Sequence, residues 1–404
     1  MLPMNRRQLL ARTGTGFGML GLAGVLASSG ELAAVPAASP LSPKVPHFAP
    51  KAKHVIHLFM NGGPSQVDTF DPKPALDKYH GQKPAAAGLK TERSTGGLFR
   101  SPFKFVKCGK SGIEVSEIFP EIGKCIDDIC VIRSMHTNVP NHEPSLLMMT
   151  SGNTQPIRPS MGSWLSYGLG TVNQNLPGFV VLCPGKPVVG PQLWGNSFLP
   201  GVYQGCHIAS LDPKRIIEHI ENKSLTKTSQ RGQLDLLNEL NRMHRDIRDN
   251  DDQLDARIQS LEMAYRMQTE AQEAFDVNRE TKATRELYGS GTFADSCLIA
   301  RRLVERGVRT VQVFFGSGQP WDDHGELEKG HRDKAKTSDK AVAALFNRPE
   351  ANGVTQRHTR VVGWRIRPHA DIRRRIRPRP QQPRFQRLDG RRRRERRHGS
   401  RQHR

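Results

Sequence analysis

Four short apolar runs divide the first 320 residues and predict buried strands at 54–60, 129–135, 178–182 and 308–315. They are predominantly apolar, the first nearly continuously so, the pattern of a strand covered on both faces, as in a parallel sheet. Between them apolar positions recur at three- and four-residue spacing. That period predicts helices over 117–125, 145–150, 163–169 and 295–305, the last stopped by Gly307. Over 233–275, leucine, methionine and isoleucine keep helical spacing among interleaved acidic residues and arginines, which predicts a helical hairpin turning near 249–252. Strands alternating with helices make βαβ units, so the class is α/β with a parallel-rich sheet flanked by helices. The stretches 84–115 and 184–207 read as loops, and the Pro/Ala/Ser-rich stretch 39–53 reads as a linker into a domain spanning 54–347.

Charge changes this picture only at the end of the chain. Of 61 basic residues, 20 lie in 348–404, all arginine, against only Glu350, Asp371, Asp389 and Glu395. Without that tail, 41 basic residues face 35 acidic ones, and the formal charge drops from +22 to +6. The body is an ordinary mildly basic chain. The tail has no apolar period and is predicted to be disordered, because it cannot bury enough surface to offset chain entropy. A run such as Arg391-Arg392-Arg393-Arg394 would suit nucleic acid or an anionic surface, but the sequence points to no specific nucleic-acid partner.

At the other end, Asn5-Arg6-Arg7-Gln8-Leu9-Leu10 precedes a weakly apolar, Gly-rich run over 16–27 and small residues around 33–38. This resembles a twin-arginine signal, so residues 1–38 are predicted to direct export to the periplasm or beyond, with the twin-arginine machinery as a partner. The run is too short and Gly-rich for a permanent membrane span. Six cysteines, at 108, 125, 130, 183, 206 and 297, show no C-x-x-C or zinc-ribbon spacing and read as buried thiols; Cys125 and Cys130 are the local disulfide candidates.

The chemistry-bearing residues gather just past the predicted strands, where open α/β sheets bind ligands. Asn61-Gly62-Gly63-Pro64-Ser65 and Asp68 follow the first, with Asp71 reading as a helix cap. His136, His142 and Glu143 follow the second, and Trp321-Asp322-Asp323-His324 the last. In an extended loop, residues two apart point to one side, so Asp322 and His324 can chelate one divalent ion, with Asp323 facing away or anchoring the loop. Carboxylate plus imidazole suits zinc, manganese or iron. Further ligands would come from Asn61, Asp68, His136, His142 or Glu143. Glu328, His331 and Asp333, on a Lys-rich helix, read as solvated.

Three segments together resemble one family: N-G-G-P-S-Q-V-D-T-F-D-P-K-P from Asn61, N-H-E-P-S-L-L-M-M-T-S-G from Asn141, and F-F-G-S-G-Q-P-W-D-D-H-G-E from Phe314. They are similar to the domain of unknown function 1501 family, related to sulfatases within the alkaline-phosphatase superfamily. The resemblance implies a doubly wound alkaline-phosphatase/sulfatase-like sheet and a metal-dependent hydrolase of sulfate or phosphate esters, acting on a small molecule or glycan. It also implies metal ligands at Asp322, His324 and Asn61, and catalytic groups at Glu143 and His142. Two positions depart from the sulfatase pattern: Glu143 stands where those enzymes carry a Cys or Ser nucleophile, and Asn61 where their first strand ends in Asp. Glutamate cannot follow that covalent route.

The tail also carries a shifted copy of family motifs. Codons permitted for residues 362–371, read one nucleotide later, can spell W-G-G-E-F-G-R-T-P; those for 377–381 can spell G-R-D-H-N, and those for 388–397 W-M-A-G-G-G-V-K-G-G. Three motifs in order at one shift predict a frame change near residues 347–348. The last strands and the remaining acidic and His ligands are then missing, and the chain as written is predicted to be inactive.

Overall fold

In the computed structural model the described residues are 39–83, 96–137, 139, 141–212, 226–247, 252–346 and 359–363. The export signal, the tip of the helical hairpin and all of the tail except 359–363 lie outside them. In chain order the elements are β1 (His54–Phe59), α1 (Pro74–Lys78), β2 (Phe105–Cys108), β3 (Ile113–Ser116), α2 (Pro120–Lys124), α3 (His142–Ser151), α4 (Met161–Leu169), β4 (Phe179–Leu182) and β5 (Cys206–Ile208). There follow α5 (Lys227–Ile247), α6 (Asp252–Phe275), α7 (Lys282–Tyr288), α8 (Thr292–Glu305), β6 (Thr310–Phe314), α9 (Leu327–Phe346) and β7 (Thr359–Gly363).

Five strands form one sheet in the order β5-β4-β6-β1-β7, every neighbouring pair parallel, so the protein is α/β with helices on the sheet's faces. Its centre is β6, whose five residues are all buried. Alternate side chains go to opposite faces. Ile56, Leu58, Val180, Leu182, Val311 and Val313 join one core with Leu298 and Ile299 of α8, Val342 of α9 and Met267, Ala271 and Phe275 of α6. Phe59, Phe179, Val181 and Phe314 join a second with Leu146 and Leu147 of α3 and Leu193 and Trp194. This double cover is why those runs are predominantly apolar.

Several predicted elements change. Residues 129–135 form no strand, and Ile132 and Met135 are more than half exposed; a strand needs a bonded neighbour, and β6 and β7 already occupy both sides of β1. The presumed loops hold the antiparallel β2–β3 hairpin and the edge strand β5. The presumed linker is partly structural: Leu41 is buried, its carbonyl accepts from Thr171 N–H at 2.8 Å, and Lys44 N–H donates to Leu169 at 3.0 Å. The sheet does not stop at residue 347, because β7 lies within the stretch predicted to be disordered and pairs with β1 from His54↔Thr359 to Leu58↔Gly363. Asp71 caps no helix: α1 is entered at Lys73 without a side-chain cap, and the Asp71 carboxylate pairs with the Lys73 ammonium at 2.6 Å. All six cysteines are free, with Cys125, Cys183 and Cys297 buried and Cys130 exposed. The helical hairpin is present as α5 and α6, clamped by a bidentate Arg231–Glu262 pair at 2.8 and 2.9 Å.

Candidate functional site

The loops leaving β1 and β6 are built as one piece. Phe315 N–H donates to the Phe59 carbonyl at 3.1 Å and to Asn61 Oδ1 at 3.2 Å, while Asn61 Nδ2 donates to the carbonyls of Gly316 and Gly318 at 2.8 and 2.7 Å. Trp321 N–H closes the junction on the Asn61 carbonyl at 3.2 Å. Gly62 permits the approach: with φ of +94°, a Cβ there would lie 2.6 to 2.8 Å from backbone atoms of Gln319, Trp321 and Asp322. No other side chain fits that space. Asn61, predicted as a ligand, has its amide engaged by three loop backbone groups.

Held on that loop, Asp322 meets two imidazoles. His142 Nε2 and His324 Nε2 both lie 2.8 Å from the same oxygen, Asp322 Oδ2. His142 arrives as the first residue of α3, and the two partners differ in access: side-chain exposure is 17% for His142, 13% for Asp322 and 56% for His324. Each Nε2–H donates to the carboxylate, which leaves the other ring nitrogen of His324 for proton exchange. Glu143, next to His142, is exposed in the first turn of α3 and makes no hydrogen bond or ion pair among the described residues. An acidic residue there suits the helix dipole, but it does not join the cluster. His136 is exposed and its ring lies 3.5 Å from the Ser134 carbonyl, also apart.

The next residue serves a second, buried cluster that the sequence reading missed. Asp323 Oδ2 accepts from His331 Nδ1 at 2.8 Å and its Oδ1 from Lys334 Nζ at 2.5 Å, while Ser65 N–H donates to His331 Nε2 at 3.0 Å. A backbone N–H can only donate, so Nε2 is the acceptor and His331 is neutral. Its pKa is pushed down by burial, against the pull of Asp323 and then Asp68. Far from being solvated, His331 is 1% exposed and bridges the loop after β6 to the loop after β1. The signal was available: Leu327, His331, Ala335, Ser338 and Val342 recur at helical spacing along one face of α9.

A carboxylate and two imidazoles are donor types that zinc takes, but these three are bonded to one another. Ligands about 2.0–2.1 Å from a tetrahedral ion stand roughly 3.3 Å apart, wider than either contact at 2.8 Å. Among the described residues no group of three or more His, Cys, Asp or Glu is placed to hold an ion. As arranged, the three side chains are bonded to one another, a geometry through which a proton can pass.

Among the described residues no helix is long and apolar enough to cross a membrane. No curated protein and no solved structure matches the chain. One family model does, over residues 52–363, a span that takes in both loops, the whole cluster and β7, and passes the predicted domain end at 347. With most of its length matched, the chain belongs to the family described as Protein of unknown function (DUF1501).

Proposed function

We propose that the chain carries part of the centre of an exported, sulfatase-like hydrolase of sulfate or phosphate esters, and that the chain as written lacks the groups that complete it. The observation supporting this is the shared oxygen, Asp322 Oδ2, held 2.8 Å from both His142 and His324. In the completed centre His324, the most exposed member, takes a proton from the water that attacks sulfur or phosphorus. Asp322 steadies the imidazolium that forms, and the leaving alcohol oxygen takes the proton as its bond breaks. Glu143, in the place of the usual nucleophile, stands apart from this cluster. The segments G-E-F-G-R and D-H-N, recovered by shifting the frame in the tail, would supply the remaining acidic and His groups.

The test compares the chain as given with one whose tail is read in the restored frame, using p-nitrophenyl sulfate and p-nitrophenyl phosphate with and without added zinc or manganese. The restored chain is expected to turn over one ester and to lose at least about 100-fold on Asp322→Asn or His324→Ala, the scale of general acid–base contributions; the chain as given stays at background. An inert restored chain under all these conditions removes the hydrolase reading. Export by the twin-arginine route goes with it, and replacing Arg6 and Arg7 by lysine in a fusion of residues 1–38 to a reporter is expected to stop translocation.

A non-catalytic binding or scaffold protein on the same fold is the second reading. It is favoured by α5, where Leu236, Leu237 and Leu240 are about half exposed or more. It gains the ground if Glu143→Ala and His324→Ala leave the cellular role intact.

A further inference from the structure

Another part of the surface breaks the rule that large aromatic rings are covered. Trp164 is 43% exposed, Tyr167 42% and Phe198 66%, and the three lie side by side. Trp164 and Tyr167 stand three apart on α4 and so share a helix face. The Trp164 ring meets Tyr167 edge-on at 6.0 Å and 75°, and Phe198 at 5.7 Å and 71°. The turn presenting Phe198 runs through Ser197 at φ of +49° and is closed by Leu199 N–H on the Asn196 carbonyl at 2.9 Å. A left-handed non-glycine residue costs about 1–2 kcal/mol, so the fold bears strain to hold a phenyl ring in water.

The mounting beneath is rigid. Leu41, Leu199 and Tyr203 form a small buried cluster. Tyr167 stands edge-on to Tyr203 at 5.3 Å, and the Lys44 ammonium lies 5.0 and 5.6 Å from those two ring centroids while donating to the Tyr167 carbonyl at 2.7 Å. The segment predicted as a linker thus supplies the floor of the patch.

We propose that Trp164, Tyr167 and Phe198 form a carbohydrate-binding patch that stacks against the pyranose rings of a neutral glycan. Size selects the ligand class. Such rings present about 150–250 Å² each when uncovered, so at these exposures the patch offers roughly 200–400 Å². A stable protein interface needs about 800 Å² a side; a short oligosaccharide does not. Chemistry agrees, because the electron-rich ring faces attract the electropositive C–H faces of a sugar. Single-stranded nucleic acid also stacks on aromatic rings but needs a row of cations along its backbone, and here a single lysine, Lys44, lies against Tyr167 and the Tyr203 beneath it. The patch shares no residue with the Asp322 cluster, so it stands or falls apart from the hydrolase reading.

The test is native affinity electrophoresis of the intact chain in gels containing laminarin, xyloglucan or galactomannan, with salt added to silence the arginine tail and tryptophan fluorescence read in parallel. At least one polysaccharide is expected to retard the chain and shift its fluorescence. Trp164→Ala and Phe198→Ala, both at exposed positions and checked for folding by circular dichroism, are expected to weaken retardation at least tenfold. Leu236→Ala, an exposed apolar residue elsewhere, leaves it unchanged. The proposal is overturned by no retardation with any of the three polysaccharides, or by retardation that survives both aromatic substitutions. It is equally overturned if a thymidine 20-mer binds in that salt and is released by Trp164→Ala, or if sedimentation shows a dimer that Phe198→Ala dissolves.

Discussion

Asp322 and Asp323 follow one another in the loop after β6, and their carboxylates go to opposite sides. Asp322 faces two imidazoles, one of them more than half exposed; Asp323 faces the buried His331 and a largely covered lysine. Successive residues of an extended chain alternate in direction, so a single turn of sequence supplies one group to the candidate chemistry and one to the anchor beneath it. The comparison shows why the two positions are not interchangeable. The two carboxylates are about equally covered, at 13% and 14% exposure, so the difference lies in their partners: water can take the place of the exposed His324 imidazole, whereas the buried His331 has no such substitute.

The largest effect is expected from Asp323→Ala, which strands Lys334 and unties His331: a loss of about 3 kcal/mol, as for breaking a buried ion pair from one side. Urea denaturation measures it, and a cost no larger than that of Asp322→Asn would erase the contrast. Acid comes next. Burial lowers the pKa of His57 to about 4, and that of His331 also lies below the ordinary value of 6.5. The unfolded chain therefore takes up protons first as pH falls. Stability is whole above about pH 6.5 and drains away towards pH 4, by about 3 kcal/mol from His57 alone at 1.36 kcal/mol per unit. A urea midpoint that holds or rises between pH 7.5 and 4.5 would contradict this.

Gly330→Ala sharpens the comparison further, because its usual sign is reversed. In a helix interior alanine normally gains up to about 1 kcal/mol over glycine, but a Cβ at 330 would sit 2.4 Å from Asp323 Oδ1. Overpacking of that kind costs about 1–3 kcal/mol, so the melting temperature is expected to drop. The smallest change is Asp322→Asn, under about 1 kcal/mol in stability, since the amide oxygen still accepts from both imidazoles. Its effect belongs in the ester assay of the frame-restored chain.

The sheet was legible where apolar runs are long and bracketed by turns: 54–60, 178–182 and 308–315 all became buried strands, and the helical hairpin followed its spacing. The run at 129–135 is just as apolar and is no strand, because pairing depends on a neighbour that composition does not reveal. The site was half legible. Asp322 and His324 were singled out by their two-residue spacing and His142 as one of several candidates, and the fold brings these three together; it leaves Glu143 exposed and apart and turns the Asn61 amide to loop backbone. His331 was read by its charge when its place in the helical period of α9 was the better guide.

By itself the sequence determined the α/β class, the positions of three central strands, the basic imbalance of the tail and the two-residue placement of Asp322 and His324, because all of these depend on local period and composition. Only the tertiary structure decided which imidazole joins Asp322 across 180 residues of chain, that Asn61 would hold a loop, that Leu41 would found an aromatic patch, and that His331 would be neutral. Those outcomes depend on which buried donors and acceptors meet. Once water is excluded, every such group must be matched by another brought from a distant part of the chain.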